Sequence, residues 1–313
     1  MPQTEGQSRE TIRFKNAYYL KLGASGKWEA DSIQTGRARI GWSNIPLDWI
    51  LAGRWPEIEQ KSKERTGKGT ATRDFRALKA FATSGDADVW ITFYESKLWW
   101  GRLKGQVKED NRSKYRQVDG GWHNTNIRGK QLLVHNIPGR LASLQAYRAT
   151  ICVVHARDVL ERLINATPSP EYLAIVETKE KLAIEVAKGI KELHWKDFEV
   201  LVDLVFRQAG WRRTSILGET VKSFDLNLEE PITGDEYQVQ VKSKATRKDF
   251  DKCCTLLDRK NFRKLYFVVH TPDKALRNAH PTPDEQVELI LAPRLADLVI
   301  DGGLVGWLLQ KIR

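Results

Sequence analysis

The chain has 313 residues, enough for two domains, and carries 51 Lys and Arg against 40 Asp and Glu. With 41% hydrophobic and 9% aromatic residues it has the material for packed cores, which excludes a wholly disordered chain. Three cysteines without a CxxC pair exclude a disulfide scaffold and give no zinc signature. The polar start of the chain and the lack of an 18-residue apolar run predict a soluble, cytoplasmic protein.

The charge is uneven. Residues 1–170 hold 28 basic and 17 acidic residues, whereas residues 171–313 hold 23 of each. Eight of the eleven tryptophans also lie in the first part, between Trp28 and Trp122. Basic charge gathers phosphate backbones and aromatic faces stack on bases, so this half is expected to contact nucleic acid; a solvated basic face over a Trp-rich core is the competing reading. The turn formers at 165–170 place a boundary that gives a basic domain over 1–167 and a second domain over 168–313.

In chain order, the first half reads as strands at 11–20, 88–94, 97–103 and 130–134. Its helices are expected at 46–52, 56–65, 72–83 and 139–148, with Pro46 and Pro56 near helix starts. The polar stretch 61–73 reads as a loop or a frayed helix end. Glu95 and Ser96 separate two aromatic-rich strands and predict a hairpin. In the second half, helical spacing of Leu173, Val176, Leu182, Ala183, Val186, Ala187 and Ile190 predicts a helix over 171–193. A second helix over 196–209 would be capped by Gly210. Strands follow at 222–228, 236–243 and 264–270, with a helix over 247–257 making a βαβ crossover, then a strand at 287–291 and a last helix over 293–311. The pattern is that of an α/β protein.

On the strand 236–243, period-two alternation puts Gln238, Gln240 and Lys242 on one face. A hairpin with the preceding strand would bring Asp225 opposite Gln240 and Lys242. An acid, an amide oxygen and an ammonium on one sheet face suit a hard cation beside a phosphate, because Mg²⁺ takes one or two carboxylates plus water and phosphate oxygens. Taken as bare spacing, the same residues read first as an ordinary polar strand face.

The run His194, Trp195, Lys196, Asp197, Phe198, Glu199, then Gly210-Trp211, Asp225 and Gln240-x-Lys242 resembles the Mrr-like branch of the PD-(D/E)xK restriction-endonuclease superfamily. The resemblance covers about 194–270 and none of the first half. It implies a restriction-endonuclease-like mixed sheet flanked by helices. It further implies catalysis by Asp225, Gln240, Lys242 and Glu199, with Mg²⁺, or Mn²⁺ in its place, held by Asp225 and Gln240. Gln240 stands where most of the superfamily has a carboxylate, and residues 218–224 depart from the usual run before the strand.

In the first half, the hairpin Asp88–Leu103 loosely resembles PUA-like barrels that read modified bases. That likeness implies an α+β domain, in its finer form a barrel, with a pocket from Trp90, Tyr94, Trp99, Trp100, Asp88 and Arg102. A Trp-rich structural barrel is the alternative, and Trp42, Trp49 and Trp55 read as core. Together these expectations describe a Mg-dependent, modification-dependent endonuclease of defence against foreign DNA. Its partner is double-stranded, base-modified DNA, and it would be a homodimer if it cuts both strands. The alternatives are a non-catalytic nucleic-acid binder with a degenerate nuclease fold, and an RNA- or structure-specific nuclease. Cys253-Cys254, His194, His270 and His280 read as structural, and the absence of a phosphate-loop motif argues against a nucleoside triphosphate.

Overall fold

The computed structural model describes residues 11–65, 68–111, 113–214, 224–278 and 285–313. The chain divides into two compact units, Met1–Pro170 and Glu171–Arg313. No described helix is long and apolar enough to cross a membrane.

The first unit begins with β1 (Asn16–Leu20), α1 (Glu29–Thr35) and β2 (Arg37–Ile40), followed by three helices, α2 (Leu47–Leu51), α3 (Trp55–Arg65) and α4 (Lys68–Thr83). Strands β3 (Asp88–Tyr94), β4 (Lys97–Gly101), β5 (Leu103–Glu109) and β6 (Lys114–Val118) come next. Helix α5 (Gly139–Ala142), β7 (Ile151–Val153) and α6 (Arg157–Ile164) complete it. The strands make a four-stranded sheet in the order β4-β3-β1-β7 and a three-stranded sheet in the order β2-β6-β5.

The hairpin at Glu95-Ser96 forms, with φ of 48° and 56° at its two turn residues, the left-handed pair whose twist matches the flanking strands. The expected strand 97–103 is two strands instead. Arg102 carries the chain from β4 in the larger sheet to β5 in the smaller one, so the described strands form two sheets and no closed barrel. Both faces of β3 are covered. Trp90 joins Leu20, Leu78 and Phe81 in one core, while Val89, Ile91 and Phe93 join Leu98, Leu141 and Leu160 in the other.

Several expected elements differ. Residues 130–134 make only isolated bridges, from Leu133 to Lys97 and from Gln131 to Thr125. The stretch 61–73 is largely helical, and 139–148 is one α-helical turn followed by a 3₁₀ turn at Ser143–Ala146. The 165–170 boundary begins as a buried clasp: Asn165 exchanges two side-chain hydrogen bonds with the Ile12 backbone, each 2.8 Å.

The second unit runs α7 (Pro170–Glu192), α8 (Trp195–Gln208), β8 (Arg212–Arg213), β9 (Leu226–Glu229), β10 (Glu236–Ala245) and α9 (Arg247–Leu256). It ends with β11 (Lys264–Pro272), α10 (Lys274–Arg277), β12 (Val287–Leu291), α11 (Ala292–Asp301) and α12 (Val305–Lys311). The sheet order is β12-β11-β10-β9-β8. β10, β11 and β12 are parallel, and β9 runs antiparallel to β10.

Period-two alternation partitions the apolar residues. Val239, Val241 and Val268 pack with Phe198, Val202, Leu295 and Val299 on one face, whereas Leu265, Phe267 and Val269 pack with Phe250 and Cys253 of α9 on the other. Helix α8 stops where Gly210 takes a φ of 91°, a conformation that costs a glycine little. Helix α9 starts with a reciprocal capping box between Thr246 and Asp249. The expected last helix is broken by Gly302-Gly303, Gly303 having a φ of 69°.

Candidate active site

The pairing of β9 with β10 sets Leu226 opposite Val239 and Leu228 opposite Tyr237. One residue further on, Asp225 lies against Gln240. Its N–H donates to the Val239 carbonyl at 3.1 Å, and its Oδ2 accepts the Val241 N–H at 2.7 Å. The same oxygen accepts from the side-chain Nε2 of Gln240. The strand register alone thus brings the acid to the amide.

Gln240 is buried, and Lys242, two residues along on the same face, is exposed. Burial raises the Asp225 carboxyl above the usual carboxylate range; the Val241 N–H, the Lys242 charge and the Gln240 amide oppose it without cancelling it. Glu199 comes from α8, whose Phe198, Leu201, Val202 and Val205 face the core. Its carboxyl is half-buried and is also raised, first by burial and then by the negative charge of Asp225. Lys242, Arg213 and Lys196 pull it down. Of the four residues singled out from the sequence, Asp225 is thus coupled to each of the other three.

Arg213 on β8 and Lys196 in the first turn of α8 belong to the same neighbourhood and were not singled out from the sequence. Their only signal there is position, Arg213 two residues after Trp211 and Lys196 directly before the Asp197-Phe198-Glu199 run. With Lys242 they are the cations whose charge acts on the Glu199 carboxyl.

Asp225, Glu199 and the Gln240 amide form an all-oxygen donor set that suits a hard cation such as Mg²⁺. The set is short of charge: among the described residues no group of three or more His, Cys, Asp or Glu side chains is placed to hold a metal. Substrate phosphate and water would supply the remaining ligands. Cys253 lies beside this site, but its thiol is buried and pushed up to about 12, chiefly by burial. It is a packing residue, as expected. His194 caps α8, His270 is buried edge-on against Phe198, and His280 and Gly218 lie outside the described residues.

In the first unit the expected pocket residues separate. Trp90 is fully buried, stacked on Tyr18 at 4.7 Å, and its Nε1–H donates to Ser84 Oγ at 3.2 Å. This corrects its place in a base pocket, because helices α3 and α4 cover the face that it was expected to open. Asp88 is corrected likewise: its carboxylate accepts from Asn16 Nδ2 at 2.7 Å and from the Gly85 N–H at 3.1 Å, closing the entry to β3. Tyr94 and Trp99 are half-buried neighbours, the Trp99 Nε1–H donating to the Tyr94 carbonyl at 3.1 Å. Trp100 faces the opposite side of its strand.

Trp100 and Arg102 do come together, in a cleft of about 520 Å³. Arg13, Asp119 and His123 line it with them, none of which the sequence reading included, because they arrive from separate loops.

No protein-family model, no curated protein and no solved structure matches this chain.

Proposed function

We propose that the chain is a metal-dependent nuclease that hydrolyses phosphodiester bonds in DNA. In this reading the second unit is a restriction-endonuclease-like domain and the first supplies the basic surface that holds the substrate. The observation that carries it is the Asp225–Gln240 contact across β9 and β10, with Lys242 and Glu199 electrostatically coupled to the same acid. The resemblance of 194–270 to Mrr-like nucleases supports it, and so does the excess of positive charge before residue 171.

Asp225, Glu199 and Gln240 would hold a divalent cation, Mg²⁺ or Mn²⁺, which when bound lowers the pKa of water and neutralises phosphate charge. The chain's own groups do the rest. Lys242 and Arg213 would place positive charge near the non-bridging phosphate oxygens, which gather negative charge as water attacks, giving its proton to bulk water, and the sugar oxygen departs, taking one from it. Glu199, half-buried on α8 and coupled to Asp225, would help hold the cation and position the attacking water. One such site cuts one strand, so cutting a duplex needs two copies or two binding events. Modification-dependent restriction of foreign DNA is the biological role that this architecture fits.

The test is cleavage of matched DNAs, unmodified and carrying methylated, hydroxymethylated, glucosylated or phosphorothioate groups, with Mg²⁺ and with Mn²⁺. Asp225→Ala and Lys242→Ala are expected to abolish cutting. Cutting that survives both substitutions refutes the assignment. A second reading, a binding protein with a degenerate site, is favoured by the Gln240 amide donating to Asp225 rather than offering it a second carboxylate. It is the outcome if DNA binds tightly, no DNA or RNA is cut, and neither cation alters the thermal midpoint.

A further inference from the structure

The cleft of about 520 Å³ in the first unit falls in the roughly 300–1,000 Å³ range of small-ligand sites, with room for a single nucleotide. Its floor is rigid. Trp100 is 9% exposed and its Nε1–H is fixed on the Thr125 carbonyl at 2.8 Å. His123 is locked beside it by two backbone hydrogen bonds, Trp100 N–H to His123 O at 2.8 Å and His123 N–H to Trp100 O at 2.9 Å. The exposed imidazole lies 5.0 Å from the indole, tilted 40° to it, and lines the cleft.

The rim is cationic. Arg102 donates one N–H to the Arg13 carbonyl at 2.7 Å, which anchors its guanidinium, and among the described residues nothing takes its other donors. Among the described residues nothing pairs with the Arg13 guanidinium, which is exposed. Asp119 supplies one acceptor; its N–H donates to the Arg102 carbonyl at 2.8 Å and its carboxylate pairs with Lys104 at 3.1 Å. Planar donor forks beside a flat aromatic wall suit a phosphate joined to a base better than a sugar or an apolar ligand.

We propose that this cleft binds one phosphorylated nucleotide unit. Its phosphate rests on Arg13 and Arg102, its base lies flat against His123 over Trp100, and a base amine donates to Asp119. The inference deepens the nucleic-acid reading above and rests on it for the choice of ligand.

The test uses the full chain in EDTA, so that binding is read without cleavage. The probes are a 5′-phosphorylated hexamer of deoxyadenosine carrying a 3′ fluorophore, and free dAMP as competitor. Arg102→Ala and His123→Ala are each expected to weaken hexamer binding about tenfold, and Arg102→Ala to lower the salt slope by about one phosphate contact. Arg102→Lys, which keeps the charge and loses the fork, should fall between. Arg140→Ala, at an exposed arginine on α5 that does not line the cleft, should stay within about twofold of wild type.

Competition by dAMP at equal nucleotide concentration assigns the site to free nucleotide, and competition only at large excess assigns it to the polymer; both keep the site. Binding by His123→Ala and Arg102→Ala that equals wild type overturns it, as does a wild-type chain that binds neither probe. If Arg102→Ala fails to fold, the exposed His123 carries the test alone. A cleft that fails here leaves the cleavage assay with Asp225→Ala standing, and a failed cleavage assay leaves this binding result standing.

Discussion

Replacing Gln240 by glutamate puts a second carboxylate against Asp225, where the wild-type amide donates a hydrogen bond. Two like charges about 4 Å apart at an effective dielectric constant near 20 repel by about 4 kcal/mol. The alternative is to keep one proton on the pair. For a carboxyl of ordinary pKa near 4.3, that costs about 1.4 kcal/mol per pH unit, again about 4 kcal/mol at neutral pH. Either route destabilises Gln240→Glu by about 3–4 kcal/mol at about pH 7.5, and lowers the thermal midpoint of the second unit by roughly 10 °C.

The sign with pH follows. The new carboxyl has a folded pKa raised above its unfolded value. Its contribution is therefore favourable below the unfolded value and is lost as pH rises through the folded one. At about pH 4.5 the shared proton takes the place of the amide hydrogen, and the deficit should shrink to about 1 kcal/mol. A divalent cation should raise the midpoint of Gln240→Glu more than that of wild type, since it screens the added charge. The assay is thermal unfolding in EDTA and in Mg²⁺ across that pH range. A midpoint within about 2 °C of wild type at neutral pH, or the same deficit at both pH values, refutes the side-chain contact on which the site is built.

Three further outcomes test the first unit. Trp90→Leu should cost about 3 kcal/mol in chemical denaturation while leaving the DNA affinity of the folded protein unchanged, because the indole is core and not pocket. Arg116 is 4% exposed and donates to the carbonyls of Phe81, Ser84, Leu103 and Gly105. Arg116→Met orphans those oxygens and should destabilise the unit by about 3–5 kcal/mol, measured the same way. Gly101→Ala would set a Cβ 2.4 Å from Val118 Cγ1, and calorimetry should find a loss of about 1–3 kcal/mol from overpacking.

The legibility of the chain was as uneven as its charge. Helices α8 and α9 are legible because each lays one apolar face on the sheet, and strands β10 and β11 because their apolar residues divide between its two covered faces. The same alternation, with the β9–β10 hairpin, puts Asp225 beside Gln240. The first unit resists such reading for two reasons. Alternation along β3 separates Trp90 from Phe93 without telling which face is open, and here both are covered. Strands β2 and β6 carry Arg39, Lys114 and Arg116 inside the protein, where ion pairs and carbonyls satisfy them. A reading that places charge outside passes over them. The cleft was hidden for a related reason: Arg13, Asp119 and His123 meet Trp100 only through the tertiary fold.

Strand β1 is central in its sheet. It pairs in parallel with β3, Asn16 against Asp88, and antiparallel with β7, Tyr18 against Val153. Its last hydrogen-bonded edge is therefore filled by residues synthesised more than a hundred positions later, and the Ile12–Asn165 clasp closes later still. On the ribosome this unit must wait for nearly its whole length before its first strand is enclosed, and the loop-closure entropy makes that step slow. Until then β1 offers an unpaired apolar edge, and a fragment that stops short of Ile151 would keep that edge exposed.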